Sequence, residues 1–200
     1  MAEEERKHRK IVICVAGMSG CGKSTAARRL ARKYRLRYLS GGNMLKALAA
    51  ETGYGSRERG WWETEEGRSF LQQRIRDYKF DKKVDEELMK WARRGNVVLD
   101  SWTMPWLLKE EAFKIWLEVS TDERARRLAR RDRIGVEEAF RALGEKDKKT
   151  KEIYNRLYGF DLGDDFSPFD VILDANLLES REVFRVLCMF VDRFVFGKYS

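Results

Sequence analysis

The sequence predicts an α/β domain built on a mostly parallel sheet, and three observations carry this. Apolar, β-branched runs alternate with amphipathic segments along the whole chain, the pattern of strands joined by right-handed helical crossovers. The runs are short and continuous, Ile11 to Ala16 (IVICVA) being the plainest, as expected of strands buried on both faces. The 200 residues hold no repeat, no low-complexity segment and only two prolines, Pro105 and Pro168. With no linker in sight, a single domain is expected over residues 10–200, behind a flexible charged tail at 1–9.

The elements follow in order. Lys23 to Tyr34 has a helical period, with Ala27, Leu30, Ala31 and Tyr34 on one face. Arg37 to Ser40 reads as a short strand and Gly42 to Thr52 as a short helix. Lys82 to Gly95 is amphipathic, with Val84, Leu88 and Trp91 spaced for one face and Gly95 as the stop. Asn96 to Asp100 and Phe113 to Val119 are strands. A helix follows from Ser120 or Thr121, either of which can cap it, with acids in its first turn. Helical patterns continue over Val136–Leu143 and Glu145–Gly159. Phe169 to Ala175 is the last strand. Glu179 to Phe194 is the last helix, with Val183, Phe184, Leu187, Phe190, Val191 and Phe194 facing inward.

Composition narrows the function. The net charge is +8 and the pI about 9.4, which favours polyanionic ligands such as phosphates or nucleic acid. No apolar run approaches the ~18–20 residues of a membrane span, and the N-terminus has no apolar stretch of a secretory signal. Cys14, Cys21 and Cys188 are odd in number and far apart, so reduced thiols and a cytoplasmic location are expected. A single histidine, His8, gives no zinc cluster and no plausible histidine catalyst.

The strongest motif is Gly17-Met18-Ser19-Gly20-Cys21-Gly22-Lys23-Ser24, which fits G-x-x-x-x-G-K-[ST] between a strand and a helix. Glycines let the backbone wrap a phosphate, and successive N–H groups at the helix start bind its oxygens. Ser19, Gly20, Cys21 and Gly22 line such a loop. Lys23 is expected to reach the β- and γ-phosphates, Ser24 to ligate Mg²⁺, and Thr25 to bond the α-phosphate. Cys21 reads as a small loop residue rather than a redox centre.

Asp100 stands at the carboxyl end of a buried strand, where open α/β sheets bind ligands. An acid there can hold Mg²⁺ through water. Arg124, Arg127 and Arg131 share a helix face, and arginines so placed can neutralise a migrating phosphoryl group. Residues 40–46 follow the second strand, so Ser40, Gly42 and Lys46 are candidates for an acceptor site. Trp102 and Trp106 directly follow Asp100 and are candidates for lining a pocket, Trp102 as a fourth acceptor-binding residue beside Ser40, Gly42 and Lys46.

Taken together, GMSGCGKST, LSGGNMLK, RRGNVVLD, KIWLEVSTDERARRLARRDRIGVEEA, YNRLYGFDL and FDVILDANLLESREVF resemble the P-loop nucleoside monophosphate kinases, and among them the archaeal-type cytidylate kinase family. The likeness covers about residues 10–195. It implies a three-layer P-loop kinase fold with a five-stranded sheet, an acceptor-binding insertion at about 40–80 and a lid at about 131–158. It implies transfer of the γ-phosphoryl of ATP, with Mg²⁺, to a small nucleotide such as CMP or dCMP. Lys23, Ser24 and Thr25 match its ATP and Mg²⁺ contacts, Arg127 and Arg131 its lid arginines, and Ser40, Gly42 and Lys46 its acceptor contacts. Three departures lie on the acceptor or lid side. Lys46 stands where the family has arginine, Asp100-Ser101-Trp102 where it has Glu-Gly-Arg, and Glu152-Ile153-Tyr154 where it has Lys-Arg-Tyr. An acceptor-contacting arginine is therefore missing from its usual place, and lysine lacks the bidentate fork.

Two other readings remain open at this level. A kinase or ATPase acting on RNA or DNA fits the basic surplus and the tryptophans. A nucleotide-binding partner without transferase activity fits the altered acceptor side. Salt-dependent nucleic-acid binding would mark the first, and ATP binding without turnover the second.

Overall fold

The computed structural model describes residues 10–55 and 60–197, so the expected tail at 1–9 lies outside the described residues. The sheet consists of β1 (Val12–Ala16), β2 (Arg37–Ser40), β3 (Val97–Asp100), β4 (Phe113–Glu118) and β5 (Val171–Asp174). Their spatial order is β2-β3-β1-β4-β5, and each neighbouring pair is parallel. Around it lie α1 (Lys23–Tyr34), α2 (Gly41–Glu51), α3 (Glu65–Arg76), α4 (Lys79–Arg94), the one-turn α5 (Met104–Leu107), α6 (Thr121–Asp132), α7 (Val136–Tyr158) and α8 (Ser180–Phe190).

The three layers follow from the alternation within β1. Ile13 and Val15 point to one face, where α1 and α8 supply Ala27, Leu30, Val183 and Leu187. Val12 and Cys14 point to the other, where α2, α3 and α4 supply Leu45, Phe70, Val84 and Leu88. Each such valine, leucine, isoleucine or phenylalanine, fully buried, stabilises the fold by ~1.5–3 kcal/mol relative to exposure. Alternating sides with helical crossovers brings every strand's carboxyl end to one edge, and the phosphate-loop motif leaves β1 at that edge.

Three details differ from the sequence expectation. Helix α3 was not evident from the pattern, because its only apolar residues are Phe70, Leu71 and Ile75 among charged neighbours. It is specified instead by its ends: Thr64 caps it by accepting from the Gly67 N–H at 3.2 Å, and Glu65 and Glu66 complement its dipole. The two expected segments at 136–143 and 145–159 are one 23-residue helix, α7. An interior glycine costs only about 1 kcal/mol relative to alanine. Gly144 is tolerated because both halves are anchored, Ala139 and Leu143 on α6 and Ile153 and Tyr154 on the sheet side. Phe194, expected to face inward, is 60% exposed. After α8 the backbone widens to a π-helical turn over Val191–Val195. The added residue keeps Val191 in the core and turns Phe194 outward, against the rings of Phe113 and Phe190 at 5.9 and 6.2 Å. No helix among the described residues is long and apolar enough to cross a membrane.

Candidate active site

The carboxyl ends of β1, β2 and β3 open onto a cleft of about 580 Å³. One wall is the loop from Gly17 to Gly22 and the start of α1. Gly17 has φ 142°, and a Cβ there would lie 2.6 Å from the Leu117 carbonyl oxygen and 2.7 Å from Cys21 Sγ. Gly22, the residue before α1, has φ 97° with open space around it. It is needed for its left-handed backbone, not for room. Ser40, Thr64, Ser120 and Glu179 cap α2, α3, α6 and α8, yet among the described residues no side chain caps α1, and no acid lies in its first turn. Its orphan N–H groups and positive dipole end are left for an anion in the cleft.

Of the expected loop residues, Ser19, Gly20, Gly22, Lys23, Ser24 and Thr25 line the cleft. Gly17 and Cys21 do not. Cys21 is buried, and burial pushes its thiol pKa up, which leaves it a small inert filler of the loop. Lys23 Nζ reaches the Met18 carbonyl at 3.4 Å and lies 5.0 Å from the centroid of the Trp102 ring. Trp102 also donates its indole N–H to the Gly17 carbonyl at 2.7 Å. It lines the cleft, but its polar contact braces the phosphate loop rather than the acceptor side.

Asp100 is buried in the floor, level with Ser40 in the sheet, and accepts a hydrogen bond from the Tyr38 hydroxyl at 2.8 Å. Ser24 and Asp100 face the same cleft. One hydroxyl and one carboxylate suit Mg²⁺, which keeps most of its waters and takes its other oxygens from phosphate.

The three arginines of α6 divide. Arg124 is buried and fully engaged: it donates to the Ser19 carbonyl at 3.0 Å, the Val119 carbonyl at 3.1 Å, Thr121 Oγ1 at 3.0 Å and Asp147 Oδ2 at 2.7 Å. It ties the loop to α6 and α7 and does not line the cleft. Arg127 and Arg131 do. Arg127 bridges the Cys21 and Ala175 carbonyls at 3.3 and 2.7 Å and pairs with Glu123 at 3.0 Å. Arg131 forks onto Asp132 at 2.7 and 2.6 Å.

The opposite wall carries Ser40, Gly42 and Lys46 as expected, joined by residues that the sequence pattern did not mark. The Ser40 hydroxyl accepts from the Asn43 N–H at 3.3 Å and so caps α2. Although no arginine occupies the usual family positions, a guanidinium is present here. Arg74 of α3 pairs with Asp81 of α4 through Nε and Nη2 at 3.0 and 2.6 Å, and Nη2 also reaches the Tyr154 hydroxyl at 3.3 Å. Its Nη1 has no protein acceptor among the described residues, and Arg74 lines the cleft. The available sign was that Asp81 and Asp85 fall on the apolar face of α4 with Val84 and Leu88. Acids on a buried face require partners.

Asp85 accepts from Thr103 Oγ1 at 2.5 Å and from the Tyr158 hydroxyl at 2.7 Å. Burial pushes its pKa up to about 7, against the pull of those two donors. The native state therefore binds more protons than the unfolded chain between about pH 4, where a free Asp titrates, and about pH 7. This contribution to stability is largest at the acid end of that window and is lost as pH rises through it. Urea unfolding at about pH 5 and about pH 8 should show this downward slope in the wild type and a flatter one in Asp85→Asn. An unchanged slope would place the proton elsewhere.

A second hollow, of about 490 Å³, adjoins the loop on its far side, between Arg127 and Arg130 and the segment Asn176–Glu179. Leu177 on its rim is 97% exposed.

The model of the cytidylate kinase-like family matches residues 12–177. A cytidylate kinase of Pyrococcus horikoshii is 30% identical over 183 residues, covering 92% of this chain and 89% of that protein. One from Pyrobaculum islandicum is 31% identical over 191 residues, covering 95% and 97%. Among solved structures, the shikimate kinase of Acinetobacter baumannii in complex with shikimate is similar at TM-score 0.56 and 17% identity, over 98% of this chain and 99% of that one. An uncharacterized protein from Eubacterium ventriosum reaches TM-score 0.60 at 17% identity, over 92% and 99%. These two show the fold alone: a three-layer α/β kinase fold. The chain belongs to the cytidylate kinase-like family and is a P-loop kinase, a phosphotransferase.

Proposed function

We propose that this enzyme transfers the γ-phosphoryl group of ATP to a nucleoside monophosphate, CMP or dCMP, in the cytoplasm. The observation that carries the reading is the single cleft whose two walls suit two different phosphates. Lys23, Ser24, Thr25 and the uncapped start of α1 line one wall, and Lys46 and Arg74 line the other. The names of the archaeal relatives supply the nucleotide.

The donor's triphosphate lies along residues 19–25, and its base rests in the hollow by Arg127, against the apolar rim of Leu177. Ser24 and Asp100 would hold Mg²⁺, which when bound neutralises phosphate charge. Lys23 contacts the oxygens of the group in flight, and Arg127 and Arg131 approach from α6. Their fixed charges stabilise a transition state whose charge is spread over phosphoryl oxygens. The acceptor phosphate is already anionic, so no general base is required. Residues 40–80 form the acceptor-binding part. Lys46 meets the acceptor phosphate, while Arg74 Nη1 and the Asp85–Thr103 pair face its nucleoside. Residues 131–158 act as the lid that excludes water on closure.

A panel of nucleoside monophosphates with Mg·ATP, followed by diphosphate formation, tests the reading. CMP or dCMP should give the highest kcat/KM. Equal or better use of AMP, GMP or UMP would overturn the cytidine assignment. Trp102 supplies a finer check. Trp102→Phe keeps the ring and removes one hydrogen bond to the loop, worth ~0.5–1.5 kcal/mol. The expected result is a KM for ATP raised about 3- to 10-fold with the acceptor KM unchanged. A raised acceptor KM with normal ATP binding would instead return Trp102 to the acceptor pocket.

A further inference from the structure

Away from the cleft, α1 and α8 lie side by side on one face of the sheet and enclose a surface groove of about 390 Å³. Its lining is Arg29, Arg32 and Lys33 from α1 and Arg181, Phe184 and Arg185 from α8. None of these residues lines the reaction cleft or the hollow by Leu177. We propose that this groove binds single-stranded nucleic acid, with the two basic helix faces holding successive phosphates and Phe184 offering a ring to a base.

Five cations surround one aromatic ring with little to balance them. Helix α1 contains no acidic residue. On α8 the Glu182 carboxylate is turned back to the Glu179 N–H at 2.7 Å, where it closes the helix cap. Lys33 meets Asp192 at 3.5 Å, with both side chains partly exposed, a contact of small worth. Arg29 donates to the carbonyl and hydroxyl of Ser180 at 2.9 and 3.1 Å, both neutral acceptors, and lies 5.8 Å from the Phe184 ring. Arg32, Arg181 and Arg185 are exposed, and none has an acid or hydrogen-bond acceptor among the described residues. Such a cluster repels itself until an anion occupies it.

The arrangement selects the kind of anion. The charges do not converge on one point, and among the described residues no buried polar group of the groove lining awaits a single phosphate. They run along two helices at spacings of three and four residues, with ~5–6 Å between successive Cβ atoms, close to the separation of phosphates on an extended strand. Four of the five are arginines, whose planar forks suit phosphate and can stack on bases. The half-buried Phe184 between them adds a stacking surface. A free phosphate has no use for such a ring.

The test uses the full-length enzyme and a fluorescently labelled, unstructured pyrimidine RNA of about a dozen nucleotides, long enough for several phosphate contacts, read by anisotropy across a salt series. The wild type should bind, with log K falling linearly in log salt at about −0.7 per phosphate contact. Arg32→Glu/Arg181→Glu/Arg185→Glu should lower affinity at least ~100-fold and flatten the slope by about 2, which is three contacts' share. Kinase activity should be unchanged, which also reports that the variant is folded. Phe184→Leu should weaken binding several-fold without changing the slope. Saturating Mg·ATP should not displace the RNA. No RNA binding at low salt would overturn the proposal. So would binding that survives the triple substitution, RNA displaced by Mg·ATP, or a groove that holds anionic vesicles but not RNA.

Discussion

Lys23→Ala should lower kcat by about 10²–10³-fold or more and leave the fold intact. The expected magnitude is that of removing one preorganised donor from developing oxyanion charge, ~2.7–4 kcal/mol. Folding should hardly respond. Lys23 is the first residue of α1, partly exposed, with one carbonyl contact at 3.4 Å and one aromatic contact at 5.0 Å. Neither is a strong interaction. The loss should fall on kcat, with the acceptor KM near normal, because in the proposed reading the lysine meets the moving group and not the acceptor. Lys23→Arg keeps the charge but not the point-like ammonium, and should recover only part of the rate. An alanine variant with more than a tenth of wild-type kcat would remove Lys23 from the transition state.

The largest loss of stability is expected at Arg74. Its side chain and that of Asp81 are each only 1% exposed, and they are paired at 2.6 Å. Arg74→Ala leaves a buried carboxylate without its cation, at a cost of ~3–5 kcal/mol. For a chain of this length each kcal/mol is about 2–4 °C in Tm, so a fall of roughly 6–20 °C is expected. The double variant Arg74→Met/Asp81→Leu separates packing from function. An apolar pair of similar volume is often neutral or stabilising, so thermal stability should return close to wild type. Acceptor KM should remain raised, because the guanidinium of the cleft lining is gone. A double variant with normal Tm and normal acceptor KM would make Arg74 a brace between α3 and α4 and nothing more.

How much of this was legible in the sequence depended on whether a signal was local. The phosphate loop is local: eight consecutive residues state its glycines, its lysine and its hydroxyl, and the flanking strand and helix state where it opens. The centre of the sheet was legible for the same reason, since β1 and β3 are continuous apolar runs buried on both faces, whereas the edge strand β5 leaves Ile172 53% exposed. Asp100 could be placed because strand ends share an edge. The wall opposite the phosphate loop was harder to read. Arg74, Asp81, Asp85 and Tyr154 come from three helices, α3, α4 and α7, and meet only through tertiary packing. Arg74 also lies on a helix whose apolar residues are only Phe70, Leu71 and Ile75. Arg124 and Arg127 show the limit of periodicity. Both fall on one face of α6, yet one depth of packing makes Arg124 an internal tie to Ser19 and Asp147 and leaves Arg127 at the cleft. Trp102 was placed by its neighbour Asp100, but its indole N–H turns to the Gly17 carbonyl, 85 residues away.

The most direct test of the account is a single turnover with γ-labelled ATP, excess enzyme, Mg²⁺ and CMP, quenched and resolved for every labelled product. Label should appear in CDP, with little in inorganic phosphate and none bound covalently to protein, at a rate that collapses in Lys23→Ala. Label appearing only as inorganic phosphate, at a rate indifferent to CMP, would contradict it and make the cleft that of an ATPase.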